Sequence, residues 1–190
     1  MITKNLQTRM KASKPSSLTW FEKDLLTPHN VQQALWGVIV FYTGNPILVD
    51  WACRVIREFD IPERDNRALV NGILKYTQDN IKYFRESPER FASPLRTIEW
   101  GIGDCDDKSI LIATVLRSFK LPIRLKFLRF TYFSPSEKIK KTVQHVYPQV
   151  KLENKWYSLE SVHKWPAGKD AEKMLNTKGI KSEVSFIGDL

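Results

Sequence analysis

Three residues, Cys105, His145 and Glu160, are of types and in an order that could form a thiol nucleophile with its base and orienting acid. Cys105 lies in the run Gly-Ile-Gly-Asp-Cys-Asp-Asp, residues 101–107, directly before an apolar stretch with helical spacing. In the first turn of a helix, backbone N–H groups and the helix dipole favour the thiolate. The same N–H groups can hold an oxyanion. The run therefore predicts a reactive thiol at the start of a helix.

His145 and Glu160 lie on consecutive predicted strands downstream of that thiol. His145 is in the middle of Val-Gln-His-Val-Tyr, residues 143–147, and Glu160 ends Trp-Tyr-Ser-Leu-Glu, residues 156–160. An antiparallel neighbour can place a carboxylate beside an imidazole, where it fixes the tautomer and holds the imidazolium. Taken singly, each residue is more often structural or on the surface than functional. Their joint order predicts an activated nucleophile.

Other residues could take part in this chemistry or stand apart from it. Trp100 could offer its indole N–H as an oxyanion donor, or it could pack as an apolar lid. His163 is a spare imidazole that we interpret as a surface residue, and we assign no chemistry to Cys53. Two cysteines exclude a disulfide-rich scaffold and a four-cysteine zinc site. The chemistry needs no metal or organic cofactor.

Four helices and three strands are predicted to position these residues. The helices cover residues 31–42, 46–59, 66–81 and 105–119, and the first of these segments is short and apolar enough to be a strand instead. The stop and cap signals are Gly44, Asn45, Asp65 and Asp104. The last helix is apolar nearly all round, so it should lie in the centre of a domain. Strands begin at residues 123, 143 and 155, with a polar loop over 134–141. Residues 85–103 are predicted to be a long connection, and the tail from residue 166 stays unassigned.

Length and composition predict one domain with a real core. The chain has 190 residues, 42% of them hydrophobic, and we expect a basic flexible arm over 1–25 and a single domain over 26–190, with its core at about 65–165. No apolar run of about 18 residues is present, so no membrane span is expected. The N-terminus lacks the apolar segment of a secretory signal, which favours a cytoplasmic protein.

The net charge of +9 is concentrated in two segments, residues 1–25 and 117–141. The second segment predicts an exposed positive patch on the outer side of the sheet, separate from Cys105, because its basic residues alternate with apolar ones. The patch residues are Arg124, Lys126, Arg129, Lys138, Lys140 and Lys141. Such a patch suits an acidic protein or nucleic acid, or it is an ordinary solvated strand face.

Residues 65–165 resemble the transglutaminase-like superfamily of papain-like cysteine enzymes. The resemblance rests on six segments. They are Asn-Ile-Lys-Tyr at 80–83, Gly-Asp-Cys-Asp-Asp-Lys at 103–108, Leu-Arg at 116–117, Leu-Pro-Ile-Arg at 121–124, His-Val-Tyr at 145–147 and Trp-Tyr-Ser-Leu-Glu at 156–160. It implies an α+β fold in which the Cys-bearing central helix packs on an antiparallel sheet, with helices N-terminal to it. It also implies Cys105 as nucleophile, His145 as base and Glu160 as the orienting acid, where the family usually has Asp.

The expected function is a thiol-dependent hydrolase or acyltransferase acting on peptide or amide bonds of a protein or peptide substrate. The compact form resembles transglutaminase-like proteins encoded by bacteriophages and prophages, which would place it in the host cytoplasm or the virion. The first alternative is a catalytically idle domain that serves as a structural or assembly protein of a phage particle. The second is a nucleic-acid binder that uses residues 117–141, whose affinity would fall steeply with salt.

Overall fold

The computed structural model describes residues 20–22, 28–85 and 90–189. Within these ranges the helices are α1 (Pro28–Tyr42), α2 (Pro46–Glu58), α3 (Asn66–Asn80), α4 (Pro94–Trp100), α5 (Cys105–Ser118) and α6 (Ala171–Thr177). The strands are β1 (Trp20–Glu22), β2 (Lys82–Tyr83), β3 (Arg90–Ala92), β4 (Ile102–Gly103), β5 (Ile123–Ser134), β6 (Ile139–Leu152), β7 (Lys155–Ser158) and β8 (Ser182–Gly188). None of the helices in these ranges is long and apolar enough to cross a membrane.

Helix α5 forms the centre of the fold. Every residue from Asp106 to Leu116 is buried, and the helix contacts α1 to α4 on one side and β5 and β6 on the other. From Ile110 to Leu116 the helix is apolar except at Thr114, and such a segment loses the most water-exposed surface in this position. The prediction of a central Cys-bearing helix is confirmed.

The main sheet has four antiparallel strands in the order β7-β6-β5-β8. One face packs against α5 through side chains that include Ile123, Leu125, Val146 and Val150. The other face carries a smaller cluster of Leu128, Tyr147 and Ala171, which α6 covers. The α+β fold expected from the sequence is therefore confirmed, with the outer face of the sheet partly covered.

Two short strand pairs complete the part of the fold that surrounds the start of α5. Strand β2 runs parallel to β4 and places Tyr83 opposite Gly103. Strand β1 runs antiparallel to β3, with Phe21 opposite Phe91. Apart from β1, the predicted N-terminal arm over 1–25 lies outside the described residues.

Two sequence-based assignments of secondary structure were wrong, and the segment left unassigned is structured. The connection over 85–103 contains α4, because Ser93 caps a helix whose first residue is Pro94. The loop over 134–141 is a tight turn, since β5 extends to Ser134 and β6 begins at Ile139. The unassigned tail forms α6 and β8, and β8 adds a strand to the edge of β5.

The predicted positive patch is wrong at Lys126 and incomplete at Arg124. Lys126 is buried, and its Nζ lies 2.9 Å from both carboxylate oxygens of Asp170 at the start of α6. Arg124 is half-buried between the rings of Trp156 and Phe186, at 4.3 and 4.2 Å from their centroids. The alternation correctly placed both side chains on the outer face, but α6 and the rings of Trp156 and Phe186 cover that part of the face. Arg129, Lys138 and Lys140 are exposed.

Candidate active site

The start of α5 is fixed by two carboxylates that bind backbone N–H groups. Asp104 accepts hydrogen bonds from the N–H groups of Asp106 and Asp107, at 2.9 and 3.3 Å, and Asp107 accepts one from the N–H of Asp104 at 3.1 Å. This reciprocal pair is a capping box. Cys105 is therefore the first residue of the helix, and its thiol lies in the turn where the helix dipole favours negative charge.

Asp107 also ties this turn to the preceding strands. Its second oxygen accepts a hydrogen bond from the N–H of Ala92 at 2.6 Å. Gly103 lies against the same carboxylate, and a Cβ added at this glycine would be 2.7 Å from the Asp107 Cβ. The residue before the helix cap must therefore be glycine for β4 to approach α5 this closely.

His145 and Glu160 are in direct contact. Glu160 Oε2 lies 2.6 Å from His145 Nε2, and the other oxygen accepts a hydrogen bond from the N–H of Val162 at 2.9 Å. Glu160 is 0% exposed. Burial acts to raise the pKa of its carboxyl, but the hydrogen bond and charge of His145, with the Val162 N–H, hold the pKa below its ordinary value. An ionised carboxylate thus fixes Nε2 as the protonated nitrogen of His145.

Ser109 connects the turn that carries Cys105 to the strand that carries His145. Its hydroxyl lies 2.6 Å from the carbonyl oxygen of Cys105 and 3.1 Å from that of Val146, the residue after His145. The Cys105 Sγ lies 3.6 Å from a carboxylate oxygen of Asp106. The fold therefore brings His145 into contact with Glu160 and ties the first turn of α5 to the strand that carries His145.

The turn after β7, which carries Glu160, is held by donors from two helices. Gln78 of α3 points its amide nitrogen at three carbonyl oxygens, those of Glu160, His163 and Trp165, at 2.8 to 3.0 Å. Lys108 of α5 donates from Nζ to the carbonyl oxygen of Ser161 at 3.1 Å. Neither Gln78 nor Lys108 was among the predicted site residues.

Tyr83 is a further site residue that the sequence analysis did not assign. Tyr83 lies on β2 and is 52% exposed. It pairs with Gly103 of β4, and Cys105 follows Gly103 by two residues. Burial, followed by the negative charges of Cys105 and Asp104, raises the pKa of its phenol. Tyr83 thus keeps its O–H at neutral pH. The only signal in the sequence was its place in the family-like segment 80–83.

The other predicted residues take ordinary positions. The guanidinium of Arg96 lies over the ring of Trp100, 4.5 Å from its centroid, so the ring serves at least as a packing surface. His163 is exposed and stacks on Trp165, as expected for a surface residue. Cys53 is half-buried on α2.

One group of possible metal ligands lies in the described part of the chain. The ligand atoms of Asp104, Cys105 and Asp106 all lie within 4.8 Å of one another. The capping role of Asp104 already accounts for much of this clustering, so the group does not by itself indicate a metal.

Comparison with known proteins places the chain in a family. Residues 54–161, more than half of the chain, match the family model of the transglutaminase-like superfamily. The chain belongs to the transglutaminase-like superfamily. The matched segment contains Cys105, His145 and Glu160, together with Tyr83 and Lys108.

Two solved structures are similar to the chain at low sequence identity. One is a candidate cysteine protease from Cytophaga hutchinsonii, with 13% identity and a TM-score of 0.48 over 88% of this chain. The other is a TGase, with 14% identity and a TM-score of 0.34 over 83% of this chain. The chain spans 60% of the first protein and 40% of the second. No curated protein sequence matches it.

Proposed function

We propose that this protein is a thiol-dependent hydrolase or acyltransferase that acts on peptide or amide carbonyl groups. In this proposal Cys105 is the nucleophile, His145 the general base and acid, and Glu160 the residue that orients His145. The observation that carries it is the buried Glu160 carboxylate, 2.6 Å from His145 Nε2, on a strand that Ser109 ties to the capped helix that Cys105 opens. The transglutaminase-like family match supports the same assignment.

The proposed reaction has two steps. With Nε2 bonded to Glu160, the Nδ1 of His145 is the nitrogen available to take the thiol proton. The thiolate attacks the carbonyl carbon and forms a C–S bond. The C–N bond then breaks, and the imidazolium gives its proton to the departing amine. The thioester is resolved by water in a hydrolase or by a second amine in an acyltransferase, with His145 taking the proton of the incoming nucleophile.

The negative oxygen that forms during attack needs donors that are already in place. The backbone N–H of Cys105 at the helix start is the first candidate, by the position of the residue. We propose the Tyr83 hydroxyl as the second, because Tyr83 pairs with Gly103, two residues before Cys105. The indole N–H of Trp100 stays a candidate on the sequence argument alone.

An activated ester tests the first step without a known substrate. The chain is incubated with p-nitrophenyl acetate, and intact-mass and peptide mass spectrometry then locate the acetyl group. We expect acetylation at Cys105, its loss in Cys105→Ala, and removal of the group by hydroxylamine. Adding a primary amine separates the two activities, because an acyltransferase releases the acetylated amine and a hydrolase releases acetate.

Acetylation that occurs equally at Cys53, or that survives in His145→Ala, would contradict the proposal. It would favour the alternative of an idle domain with a structural or assembly role in a phage particle. That role, and a host-cytoplasmic or virion location, rest on the sequence resemblance. We propose a protein or peptide as the substrate class, since the family-like site attacks amide carbonyls.

A further inference from the structure

Strand β5 has an open edge beyond the point where β8 begins. The last residue pair between the two strands joins Phe130 to Ser182, whereas β5 continues to Ser134. In the part of the chain that the structure describes, no strand pairs with Thr131–Ser134 on this side. The backbone N–H and C=O groups of such an edge are a template for a further strand. An extended peptide can therefore add to the sheet here.

A groove of about 870 Å³ lies along this edge. It is lined by residues 129–133 of β5 and by residues 179–183, which follow α6 and begin β8. The apolar and aromatic residues of the lining are Phe130, Tyr132, Phe133 and Ile180. Phe133 is 58% exposed. The groove thus offers apolar contacts to the side chains of a peptide whose backbone pairs with β5.

The charge around the groove is positive. Among the described residues, the two carboxylates of this region are already in ion pairs, Glu137 with Lys141 and Glu183 with Arg129. Exposed lysines with no carboxylate in ion-pair contact among the described residues are Lys138, Lys140, Lys178 and Lys181. Lys181 lines the groove, and Lys140 lies opposite Phe133 in the register of β5 and β6. These lysines favour an acidic partner.

The same charge does not suit the N-terminal segment of this chain or a second copy of the chain. Residues 1–19 contain four basic residues and no acidic residue. A second copy would bring the same lysines to the edge, and lysines at a strand edge oppose pairing between identical edges. The occupant that fits is therefore an acidic segment of a different protein.

We propose that the open edge of β5 and its groove dock an extended acidic segment of a partner protein, which adds to the sheet as a strand beside Thr131–Ser134. The inference goes beyond the proposed function, since the edge lies on the opposite side of β5 from β6, the strand that carries His145. The open edge is about 13 Å long, which accommodates about four residues of the partner. Because this contact is short, an isolated peptide should bind with a Kd of about 0.1–1 mM.

Amide NMR of the full chain tests the docking with a defined probe, the peptide Glu-Val-Glu-Val-Glu-Val-Glu. We expect its addition to shift the amide signals of residues 131–134 and 179–183. Hydrogen exchange should slow at the amides of residues 131–134 that face the peptide, because an added strand binds backbone groups. A peptide with proline in place of valine has the same charge but lacks every second N–H. It should bind at least about five times more weakly.

Charge reversal tests the role of the lysines. The double variant Lys140→Glu with Lys181→Glu should weaken binding of the Glu-Val peptide by about tenfold, because attraction is replaced by repulsion. Lys155→Glu is the matched control, since Lys155 is exposed on β7, the other edge strand of the same sheet. It should change the Kd by less than about twofold. The altered side chains are exposed, and the same spectra show whether each variant folds.

Four results would overturn the inference. The first is the absence of any shift at residues 131–134 and 179–183 with about 3 mM of the Glu-Val peptide. The second is equal binding of the proline peptide, which would mean that charge alone attracts the probe. The third is unchanged binding in the double variant. The fourth is tighter binding of an oligothymidylate to the same amides, which would assign the surface to nucleic acid. None of these results bears on acylation of Cys105, so the proposed function is tested separately.

Discussion

Glu160 is ionised in a position where burial by itself would favour the neutral acid. It keeps its charge because both oxygens have donors, His145 Nε2 at one and the Val162 N–H at the other. The Glu160 side chain is one methylene longer than that of the Asp that the family usually has at this position. Its Oε2 still lies 2.6 Å from His145 Nε2. The turn after β7, held by Gln78 and Lys108, sets the backbone that makes this possible.

Glu160→Gln tests whether the Glu160 carboxylate orients His145. The amide keeps the shape but removes the negative charge that stabilises the imidazolium and fixes its tautomer. We expect the rate of Cys105 acetylation to fall by roughly two orders of magnitude or more. Glu153→Gln, at a carboxyl that is 77% exposed, is the control and should leave the rate unchanged. An unchanged rate in Glu160→Gln would show that the acid has no part in activation.

Gly103→Ala tests the close approach of β4 to the start of α5. The added Cβ would be 2.7 Å from the Asp107 Cβ, so the capping box or the strand must shift. We expect a loss of about 1–3 kcal/mol in the free energy of unfolding, measured by urea denaturation. Gly37→Ala is the matched control: nothing lies within 4 Å of its added Cβ in helix α1, and alanine should stabilise that helix by about 0.5–1 kcal/mol. Equal effects of the two changes would contradict the packing argument.

At the scale of elements, the sheet is held to α6 by a buried ionic cluster on its outer face. Lys126 of β5 binds Asp170, the N-cap of α6, and Asp170 also accepts hydrogen bonds from Tyr147 and Ser158 at 3.1 and 2.5 Å. Strands β5, β6 and β7 therefore converge on one carboxylate. The cluster stands where the sequence predicted an exposed positive patch.

Lys126→Met tests how much this cluster contributes to the free energy of unfolding. It leaves Asp170 buried without its cation, so we expect the free energy of unfolding to fall by about 3 kcal/mol or more. Arg129→Met, on the same strand at a side chain that is 61% exposed, should change it by less than about 1 kcal/mol. Similar small effects for both variants, measured by urea denaturation, would mean that Lys126 is not a structural cation.

The elements that the sequence predicted well are those whose ends carry local signals. Asn45, Asp65 and Asp104 each accept hydrogen bonds from the first turn of a helix, as the capping argument required. Helix α4 has the same kind of start at Ser93, but its seven residues are too few to show an apolar stripe. The burial of Lys126 was not predictable, because it depends on residues 44 positions away in the chain. The contacts of Gln78 and Lys108 could not be predicted either, because their partners are also distant in the chain.

At the scale of the whole molecule, buried carboxylates make stability depend on acid pH. Burial acts to raise the pKa values of Glu160 and Asp170, but hydrogen bonds and nearby positive charge hold both below their ordinary values. A group with a lowered folded-state pKa contributes stability that is present above its unfolded-state pKa. That contribution is lost as pH falls through the folded-state value.

We therefore expect the free energy of unfolding to fall as pH drops below about 4, the unfolded-state pKa of these carboxyls. Urea denaturation at a series of pH values measures the slope of the free energy of unfolding against pH. The slope should be smaller in Asp170→Asn than in the parent chain, whereas Glu153→Gln should leave it unchanged. A slope that is the same in all three chains would assign the acid sensitivity to other groups.

The most direct test of the central proposal compares the reactivity of the two cysteines in one chain. Iodoacetamide alkylation of Cys105 and Cys53 is followed by mass spectrometry at neutral pH in the wild type and in His145→Ala. The proposal predicts that Cys105 reacts at least about ten times faster than Cys53, because the helix start and His145 raise its thiolate fraction. It also predicts that His145→Ala removes most of this difference. Equal rates in the wild type, or a Cys105 rate that His145→Ala leaves unchanged, would contradict an activated thiol at this site.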